Sequence, residues 1–372
     1  MTYSIGIDSI LNLIIVYEML QLLYIILITI QLLQICNSKI AIGFYGLSRS
    51  LSTTLGTIQR HIFDVLDANN ITYDIFWSTL AVNKLTNSRS FEGGLTLNST
   101  DYTLVNPTAF HIVSQSIIVP EQFKLYHRKQ FDMFGDSFAS IKNLLGAYYT
   151  MQVLNSLIQT YAINNNETYD TWLILRPDTA IITDLNYTEL LHSIAASTST
   201  STSDNSSESS STSTNTNDNS PTNRAIWIPD FQHWSTQKAK GWNDRGAFGP
   251  PKMMSLYLTR GTMFRDGIGP GLERFINGEQ YLYKYLLYHN ITVYLSSLRM
   301  VRVRADSTVA EIDRNTTHMH ITNEYDIIRY TQYCLIYTDN THINTNYKRT
   351  NNKHNNKSNK YRSIVLLNHT HC

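Results

Sequence analysis

A strand–helix–strand pattern at residues 39–77 constrains the fold of this chain more than any other feature. Lys39 to Tyr45 is an apolar run that predicts a buried strand, and Leu51 to Asn69 repeats apolar residues at helical spacing. Thr72 to Trp77 predicts a second strand. Such β-α-β units join parallel strands through a right-handed crossover, so the pattern predicts an α/β domain with a largely parallel sheet.

Later segments extend the α/β pattern. Further strands are predicted at His111 to Val119, Tyr169 to Leu175, Ala180 to Ile182 as a continuation of the preceding strand, Ala225 to Phe231, Ile291 to Leu295 and Arg299 to Val303. Helices are predicted at Ser140 to Ile158 and Leu272 to Tyr288, and residues 78–110 are predicted to be loop-rich. The predicted fold is therefore a Rossmann-type mixed sheet flanked by helices, preceded by an N-terminal hydrophobic helix.

Composition divides the chain of 372 residues into three predicted parts. Residues 1–38 form a hydrophobic segment, residues 39–338 the α/β domain, and residues 339–372 an Asn- and Lys-rich tail. Residues 197–222 are a Ser/Thr-rich tract without apolar periodicity, which predicts a disordered insertion in the domain. The net charge of +1 shows no basic excess, so no nucleic-acid partner is expected.

The first candidate site residue follows the first predicted strand. Gly46 permits a tight turn there, and Arg49 presents a planar guanidinium that suits a diphosphate. The N-terminus of the following helix would add amide donors. Ligands of open α/β sheets bind at the carboxyl ends of strands, so we predict that Arg49 binds substrate. An ordinary turn with a solvated arginine is the alternative.

The second candidate group follows the strand that ends at Leu175. There the chain reads Arg176-Pro177-Asp178. A carboxylate at a strand end is well placed to hold a divalent cation that neutralises a leaving diphosphate. We therefore predict Asp178 as a catalytic residue and metal ligand, and Arg176 as a substrate-binding residue. The alternative is a structural cap in which Arg176 is the ion partner of Asp178.

A glycine-rich segment, Gly241 to Gly249, supplies the third group. It sets Asn243, Asp244 and Arg245 side by side, and such a cluster is costly to bury without partners. We predict that Asn243 and Arg245 bind sugar hydroxyls, that Trp242 stacks on a sugar face, and that Asp244 is catalytic. A glycine-rich turn with solvated charges is the alternative.

Three weaker candidates complete the set. Glu279 lies on a predicted helix and would act as a base or an acceptor-binding carboxylate, although most helix glutamates are merely exposed. Trp234 is a second residue suited to stacking on a sugar. His318 and His320 would face the same side of a strand and complete a metal site there, whereas on a loop the spacing has no such meaning.

Taken in order, these motifs resemble a known superfamily. The motifs are Ile42 to Arg49, Tyr73 to Phe76, Asn143 to Leu145, Leu173 to Asp178 and Asn243 to Gly249. The series resembles poorly characterised glycosyltransferase-like proteins of the nucleotide-diphospho-sugar transferase (GT-A) superfamily, found in microbial eukaryotes and large viruses. The resemblance covers about residues 39–305, and it implies a Rossmann-like fold, a nucleotide-sugar donor and often Mn²⁺ or Mg²⁺.

The chain departs from that superfamily at the metal motif. The motif is Asp-x-Asp, and the matching place here reads Arg176-Pro177-Asp178, with no Asp-x-Asp elsewhere. Either Arg176 supplies positive charge to the diphosphate in place of part of the metal's role, or the site is degenerate.

The hydrophobic segment bears on localisation. Residues 10–36 contain no Lys or Arg, and about 20 mostly apolar residues suffice to cross a bilayer. We expect a single-pass membrane anchor; a cleaved signal peptide and a buried amphipathic helix are the alternatives. The following Lys39 and Arg49 favour a cytosolic domain, whereas nine Asn-x-Ser/Thr sequons suit a lumenal one. The function that the site indicates leads us to expect a lumenal domain in the Golgi or ER.

Three function classes follow. The first is a membrane-anchored glycosyltransferase that moves a sugar from a nucleotide-sugar donor to a glycan or glycoprotein acceptor. The second is a sulfotransferase-like enzyme in which Arg49 to Thr54 forms a phosphosulfate-binding loop. The third is a non-catalytic, membrane-anchored glycan-binding protein.

Overall fold

The computed structural model describes residues 15–26, 38–87, 92–98, 100–114, 135–198, 224–231, 234–236, 239–272 and 277–310, together with residues 116, 128 and 132. The predicted tail and most of the predicted insertion lie outside these residues, as do His318 and His320.

A seven-stranded mixed sheet forms the centre of the fold, in the order β12-β8-β11-β6-β1-β2-β5. Its strands are β1 (Lys39–Gly46), β2 (Thr72–Ala81), β5 (Ala109–Ser114), β6 (Thr171–Leu175), β8 (Ala225–Pro229), β11 (Gly246–Gly249) and β12 (Thr292–Ser296). Three two-stranded sheets pair β3 (Lys84–Asn87) with β4 (Glu92–Thr96), β7 (Thr179–Ile181) with β13 (Met300–Arg302), and β9 (Trp234–Thr236) with β10 (Ala239–Gly241).

The helices flank the sheet on both faces. Helix α1 starts at Leu51–Ile58 and continues through a π-helical turn, Gln59–Phe63, into Asp64–Ala68. The others are α2 (Ala139–Asn165), α3 (Tyr187–Thr198), α4 (Pro251–Arg265) and α5 (Gly278–Tyr288). One apolar core joins α2, α4 and α5 to the sheet, and a second joins α1 and α3 to its other face.

Alternate residues of β1 enter the two cores, as the two-residue repeat of a strand requires. Ile40 and Ile42 lie in the core with α1, whereas Ala41 lies in the core with α2. Gly43 also faces α2, where a Cβ atom would come within 2.8 Å of Leu154 Cδ2. Burial on both faces explains why this strand is an uninterrupted apolar run in the sequence.

The predicted α/β class and the β-α-β opening are confirmed, because β1 and β2 are neighbouring parallel strands and α1 connects them in sequence. β6 and β5 are parallel to them as well. The exception is β11, which runs antiparallel to both of its neighbours, β6 and β8.

Three local predictions are wrong. Residues 180–182 do not continue β6, because Thr179–Ile181 turns away and pairs with β13 in a separate sheet. Residues 246–249 are a central strand rather than part of a loop. The segment 78–110, predicted as loop-rich, contains the end of β2, the β3–β4 hairpin and the start of β5. Neither α3 nor α4 was predicted from the sequence.

At the N-terminus, residues 15–26 are helical and exposed. Within the described residues, no helix has both the length and the apolar character that a membrane span requires.

Candidate functional site

Three strand ends meet at one edge of the sheet and bring the predicted site residues together. β1 and β6 are parallel, with Phe44 opposite Leu175, so Arg49 and the segment 176–178 emerge at the same edge. β11 is antiparallel to β6, with Gly246 opposite Leu175, so the residues that precede β11 reach this edge too. This is the carboxyl edge, where open α/β sheets bind their ligands.

Asp178 lies buried at this edge and binds two arginines. Nε of Arg176 donates to its Oδ1 at 2.9 Å, and Nε of Arg49 donates to its Oδ2 at 3.0 Å. A second N–H of each guanidinium also donates to Oδ2. Burial alone would raise the pKa of Asp178, but Arg176 and Arg49 outweigh it and hold that pKa well below the usual range. Both carboxylate oxygens are therefore engaged by guanidinium donors.

A second buried carboxylate, Glu92, reaches the same arginines from the β3–β4 hairpin. Its Oε2 accepts a hydrogen bond from Nη1 of Arg49 at 2.9 Å and lies 3.5 Å from Nη1 of Arg304. Its Oε1 accepts from the amide of Ala305 at 3.0 Å. Arg49 thus bridges two buried carboxylates. The sequence offered no local signal for Glu92, because a separate hairpin brings it to the strand end.

We call this group the arginine cluster. It consists of Arg49, Arg176, Arg302, Arg304, Asp178 and Glu92. Burial lowers the pKa of Arg304, and the positive charges of Arg49 and Arg302 lower it further. Four guanidiniums and two carboxylates give the cluster a net charge of +2, and the like charges crowd one another. An anion bound here would relieve that repulsion.

The amides at the start of α1 add less than the sequence predicts. The amide of Leu51 donates to the Ser48 carbonyl, and those of Thr53 and Thr54 donate to the Ser50 carbonyl. The hydroxyl of Thr54 donates to the Pro177 carbonyl. These donors hold the turn itself, so the guanidiniums are the groups at this edge that suit an anion.

Asn243 and Arg245 hold the loop before β11. The side chain of Asn243 donates to the carbonyl of Phe231 at 3.1 Å and accepts from the amide of Arg245 at 2.9 Å. The guanidinium of Arg245 lies 5.6 Å from the ring centre of Phe231. The Arg245 carbonyl accepts from the Arg176 amide at 3.1 Å, which ties this loop to the arginine cluster.

Asp244, between them, is half-buried and contacts the start of α5. A Cβ atom on Gly278 would lie 2.9 Å from Oδ2 of Asp244, so this carboxylate packs closely against the start of α5. The hydroxyl of Tyr45 donates to the main-chain carbonyl of Asp244. Asp244 lies next to the arginine cluster, because the carbonyl of the following residue, Arg245, accepts from the Arg176 amide, and the charge of Asp244 acts on Arg176.

Glu279 follows Gly278, next to the loop that carries Asp244, and we call Asp244 and Glu279 the carboxylate pair. Burial raises the pKa of Glu279, and the negative charge of Asp244 raises it further, against the opposing charges of Arg245 and Arg302. The main-chain carbonyl of Glu279 accepts from the Trp242 amide at 3.1 Å. The Trp242 ring stands 5.9 Å from that of Tyr283. Glu279 therefore holds a proton more readily than an exposed glutamate does.

Behind Asp244 lies Arg260, a buried arginine of α4 that was not among the predicted site residues. Arg260 is 1% exposed, and its guanidinium stacks 4.1 Å from the ring centre of Tyr257 and 5.2 Å from that of Tyr148. Its Nη1 donates to the carbonyl of Tyr257 at 2.6 Å. The hydroxyl of Tyr257 approaches the Asp244 carbonyl at 3.4 Å, so this layer supports the loop that carries Asp244.

The donor chemistry of the arginine cluster does not fit Mn²⁺ or Mg²⁺. Hard cations need free carboxylate oxygens, and both oxygens of Asp178 already accept from Arg49 and Arg176. A cation would also add positive charge where guanidiniums already crowd. In the part of the chain that the structure describes, no three His, Cys, Asp or Glu residues are grouped to hold a metal ion.

The structure gives no side-chain contacts for the remaining predicted site residues. Trp234 lies in β9, and His318 and His320 lie outside the described residues.

Comparison with solved structures shows a weak structural similarity. No protein-family model matches the chain, and no curated protein matches it. Among solved structures, the chain is similar to the galactosyltransferase LgtC in complex with donor and acceptor sugar analogues. That match covers 68% of this chain and 72% of that chain, with 8% identity and a TM-score of 0.32. Similarity at this level carries no argument about activity, so the functional interpretation rests on the geometry of the site.

Proposed function

We propose that this chain is a glycosyltransferase that moves a sugar from a nucleotide-sugar donor to a glycan or glycoprotein acceptor. One observation carries the proposal: the arginine cluster lies beside the carboxylate pair at the carboxyl edge of the sheet. The Arg176 amide donates to the Arg245 carbonyl next to Asp244, and the Trp242 amide in the same loop donates to the Glu279 carbonyl. A nucleotide sugar has the same two halves, an anionic diphosphate and a sugar rich in hydroxyl groups.

The arginine cluster would bind the diphosphate half. Planar guanidiniums such as those of Arg49 and Arg176 match phosphate oxygens with paired N–H donors. When the bond to the sugar breaks, negative charge develops on the departing diphosphate. Fixed positive groups aimed at that charge lower the barrier, because they need not reorganise during the reaction.

The carboxylate pair would bind the sugar half. Asp244 offers acceptor oxygens to sugar hydroxyls, and Glu279, with its raised pKa, both donates and accepts while it holds a proton. Trp242 borders these two groups and offers an apolar face for a sugar ring. Positioning the donor and the acceptor is the main contribution of such a site to the rate.

The proposal extends to the hydrophobic segment of residues 10–36. Its apolar composition and lack of basic residues support a membrane anchor, and the sequons support a lumenal domain in the Golgi or ER. Attachment of the full chain to membranes that resists alkaline carbonate, with sequons modified by glycans, is the expected result. Release by carbonate would contradict the anchor, and unmodified sequons would contradict the lumenal orientation.

The test of function is a donor screen on the full chain. UDP-, GDP- and CMP-sugars are incubated with the protein, with Mn²⁺ and with chelator, and free nucleotide is measured. The variants are Asp244→Asn and Glu279→Gln. Asp74→Asn is the matched control, because Asp74 is a partly buried carboxylate, ion-paired to Lys39 at 2.8 Å, that lies near the start of β2, at the opposite edge.

We expect nucleotide release from at least one donor, with a loss of about 100-fold or more in the two site variants and little change in the control. Donor binding without release would favour the non-catalytic, glycan-binding alternative. Binding of a phosphoadenosine nucleotide but of no sugar nucleotide would favour the sulfotransferase-like alternative.

A further inference from the structure

We propose that the arginine cluster binds the diphosphate directly, without a divalent cation, and that Asp178 and Glu92 are its internal counterions rather than metal ligands. In this account each carboxylate gives up guanidinium donors to the phosphate oxygens when the ligand binds. The inference rests on the proposed function, since it names how that same site recognises its donor.

The first support is the way the hydrogen bonds are shared. Arg49 uses Nε to contact Asp178 and Nη1 to contact Glu92, at 3.0 and 2.9 Å, so one guanidinium balances two carboxylates. Arg176 donates to both oxygens of Asp178. A metal ligand needs lone pairs that face a shared cation position, whereas these oxygens face arginines.

The second support is the order of exposure. The side chains of Asp178 and Glu92 are 2% and 3% exposed, whereas those of Arg176 and Arg304 are 27% and 19% exposed. An incoming anion therefore meets Arg176 and Arg304 first, with the carboxylates and Arg49 beneath them. A site built around a carboxylate-bound cation would show the reverse order.

The third support is the charge balance. Burial is the largest cause of the lowered pKa of Arg304, and the positive charges of Arg49 and Arg302 lower it further. A diphosphate carries more than one negative charge and would neutralise the net positive charge of the cluster. A divalent cation would increase it.

Counterion and metal ligand make opposite predictions for Asp178→Asn. If Asp178 is a counterion, the substitution frees guanidinium donors, and a diphosphate should bind more tightly. If Asp178 holds a cation that in turn holds the diphosphate, the substitution should abolish binding.

The experiment is calorimetric titration of the full chain with inorganic pyrophosphate, in chelator and then with Mn²⁺. The variants are Asp178→Asn, Glu92→Gln and Arg176→Gln. Asp74→Asn is the carboxylate control. Arg224→Gln is the charge control, because it removes the same charge at the start of β8, where Arg224 donates to the His289 carbonyl.

We expect saturable binding in chelator that Mn²⁺ does not strengthen. Arg176→Gln should weaken it by about tenfold or more, the loss of a charged hydrogen bond, and Asp178→Asn or Glu92→Gln should strengthen it severalfold. Both controls should bind like the wild type. If Asp178→Asn does not fold, Glu92→Gln and the wild type in chelator still decide the question.

Binding that requires Mn²⁺, or that Asp178→Asn and Glu92→Gln both weaken, would overturn the inference. The outcome is separable from that of the proposed function. Pyrophosphate binding in chelator without turnover of any sugar nucleotide would contradict the transferase proposal but support a metal-free anion site. Turnover that depends strictly on Mn²⁺ would support the transferase proposal but contradict the metal-free anion site.

Discussion

Replacing Arg49 by methionine is the sharpest single test of the arginine cluster. The substitution keeps most of the side-chain length but removes a guanidinium that bridges Asp178 and Glu92. Both carboxylates stay buried, so they cannot recover the lost contacts from water. The expected result is a large loss in the free energy of unfolding.

The magnitude follows from the contacts. Arg49 makes two hydrogen bonds to Asp178 and one to Glu92, and a hydrogen bond between charged groups contributes about 1.5–3 kcal/mol. Removing one partner of a buried ion pair costs about 3–5 kcal/mol. Both carboxylates keep other donors, Arg176 for Asp178 and the Ala305 amide for Glu92, so we expect the lower end, about 3 kcal/mol.

The assay is urea unfolding of the full chain at neutral pH, with Arg265→Met as the control. Arg265 also pairs with a carboxylate, Asp266 at 2.8 Å, but both side chains are more than a third exposed. Such a surface pair contributes about 0–1 kcal/mol. A loss for Arg49→Met that lies within about 1 kcal/mol of the control would refute the buried-bridge account, since a buried partner must cost more than an exposed one.

Three further predictions concern other parts of the same architecture. Gly261→Ala should cost about 1–3 kcal/mol in thermal unfolding, because the new Cβ would lie 2.3 Å from Tyr148 Cβ; an unchanged melting temperature would refute that close contact. Asn277→Ala should cost about 1 kcal/mol in urea unfolding, because Asn277 caps α5 and forms a capping box with Gln280; no change would contradict the cap. The pKa of Asp178 is lowered by folding, so its ionisation stabilises the fold above the unfolded pKa of about 3.9, and this contribution is lost as pH falls below it. Wild type should therefore exceed Asp178→Asn in stability at neutral pH, with a gap that narrows below about pH 4, and a gap that widens in acid would contradict the sign.

The sequence predicted the parts of the sheet that are buried on both faces. β1 and β6 read as uninterrupted apolar runs because helices cover both sides of them. The parallel direction of β1 and β2 followed from the β-α-β connection, whereas the pairing of β1 with β6 was not predicted. The position of Arg49 and of Arg176–Asp178 at one sheet edge followed from the same logic.

β11 could not be recognised because its glycines serve packing rather than turning. A Cβ atom on Gly246 would lie 3.1 Å from the carbonyl oxygen of Ile174, and one on Gly249 would lie 3.2 Å from that of Ala225. These glycines let a short strand fit between β6 and β8. Sequence alone does not distinguish such glycines from those of a loop.

Helix α4 was missed for a different reason. Its buried face has helical spacing, with Met254, Leu258 and Phe264 among its members, but Arg260 and Gly261 interrupt the apolar pattern. The arginine is stabilised by tyrosine rings from its own helix and from α2, and those contacts appear only in three dimensions.

Within the site, residues close together in sequence were predicted, but the residues that join them from distant parts of the chain were not. The pairing of Arg176 with Asp178, which the structural-cap alternative predicts, is confirmed. Glu92 and Arg304 come from a hairpin and from the chain after β13, and nothing near them in sequence marks their convergence. The catalytic and substrate-binding roles of Asp178, Asp244, Glu279 and their neighbours stay predictions.

The central claim is that the arginine cluster serves the transfer of a sugar from a nucleotide donor. The most direct test measures nucleotide release from the panel of sugar nucleotides by the wild type, Arg176→Gln and the distant control Arg224→Gln. The account predicts release by the wild type and the control, and a loss of about 100-fold or more in Arg176→Gln. Equal release by Arg176→Gln and the wild type, or no release from any donor, would contradict it.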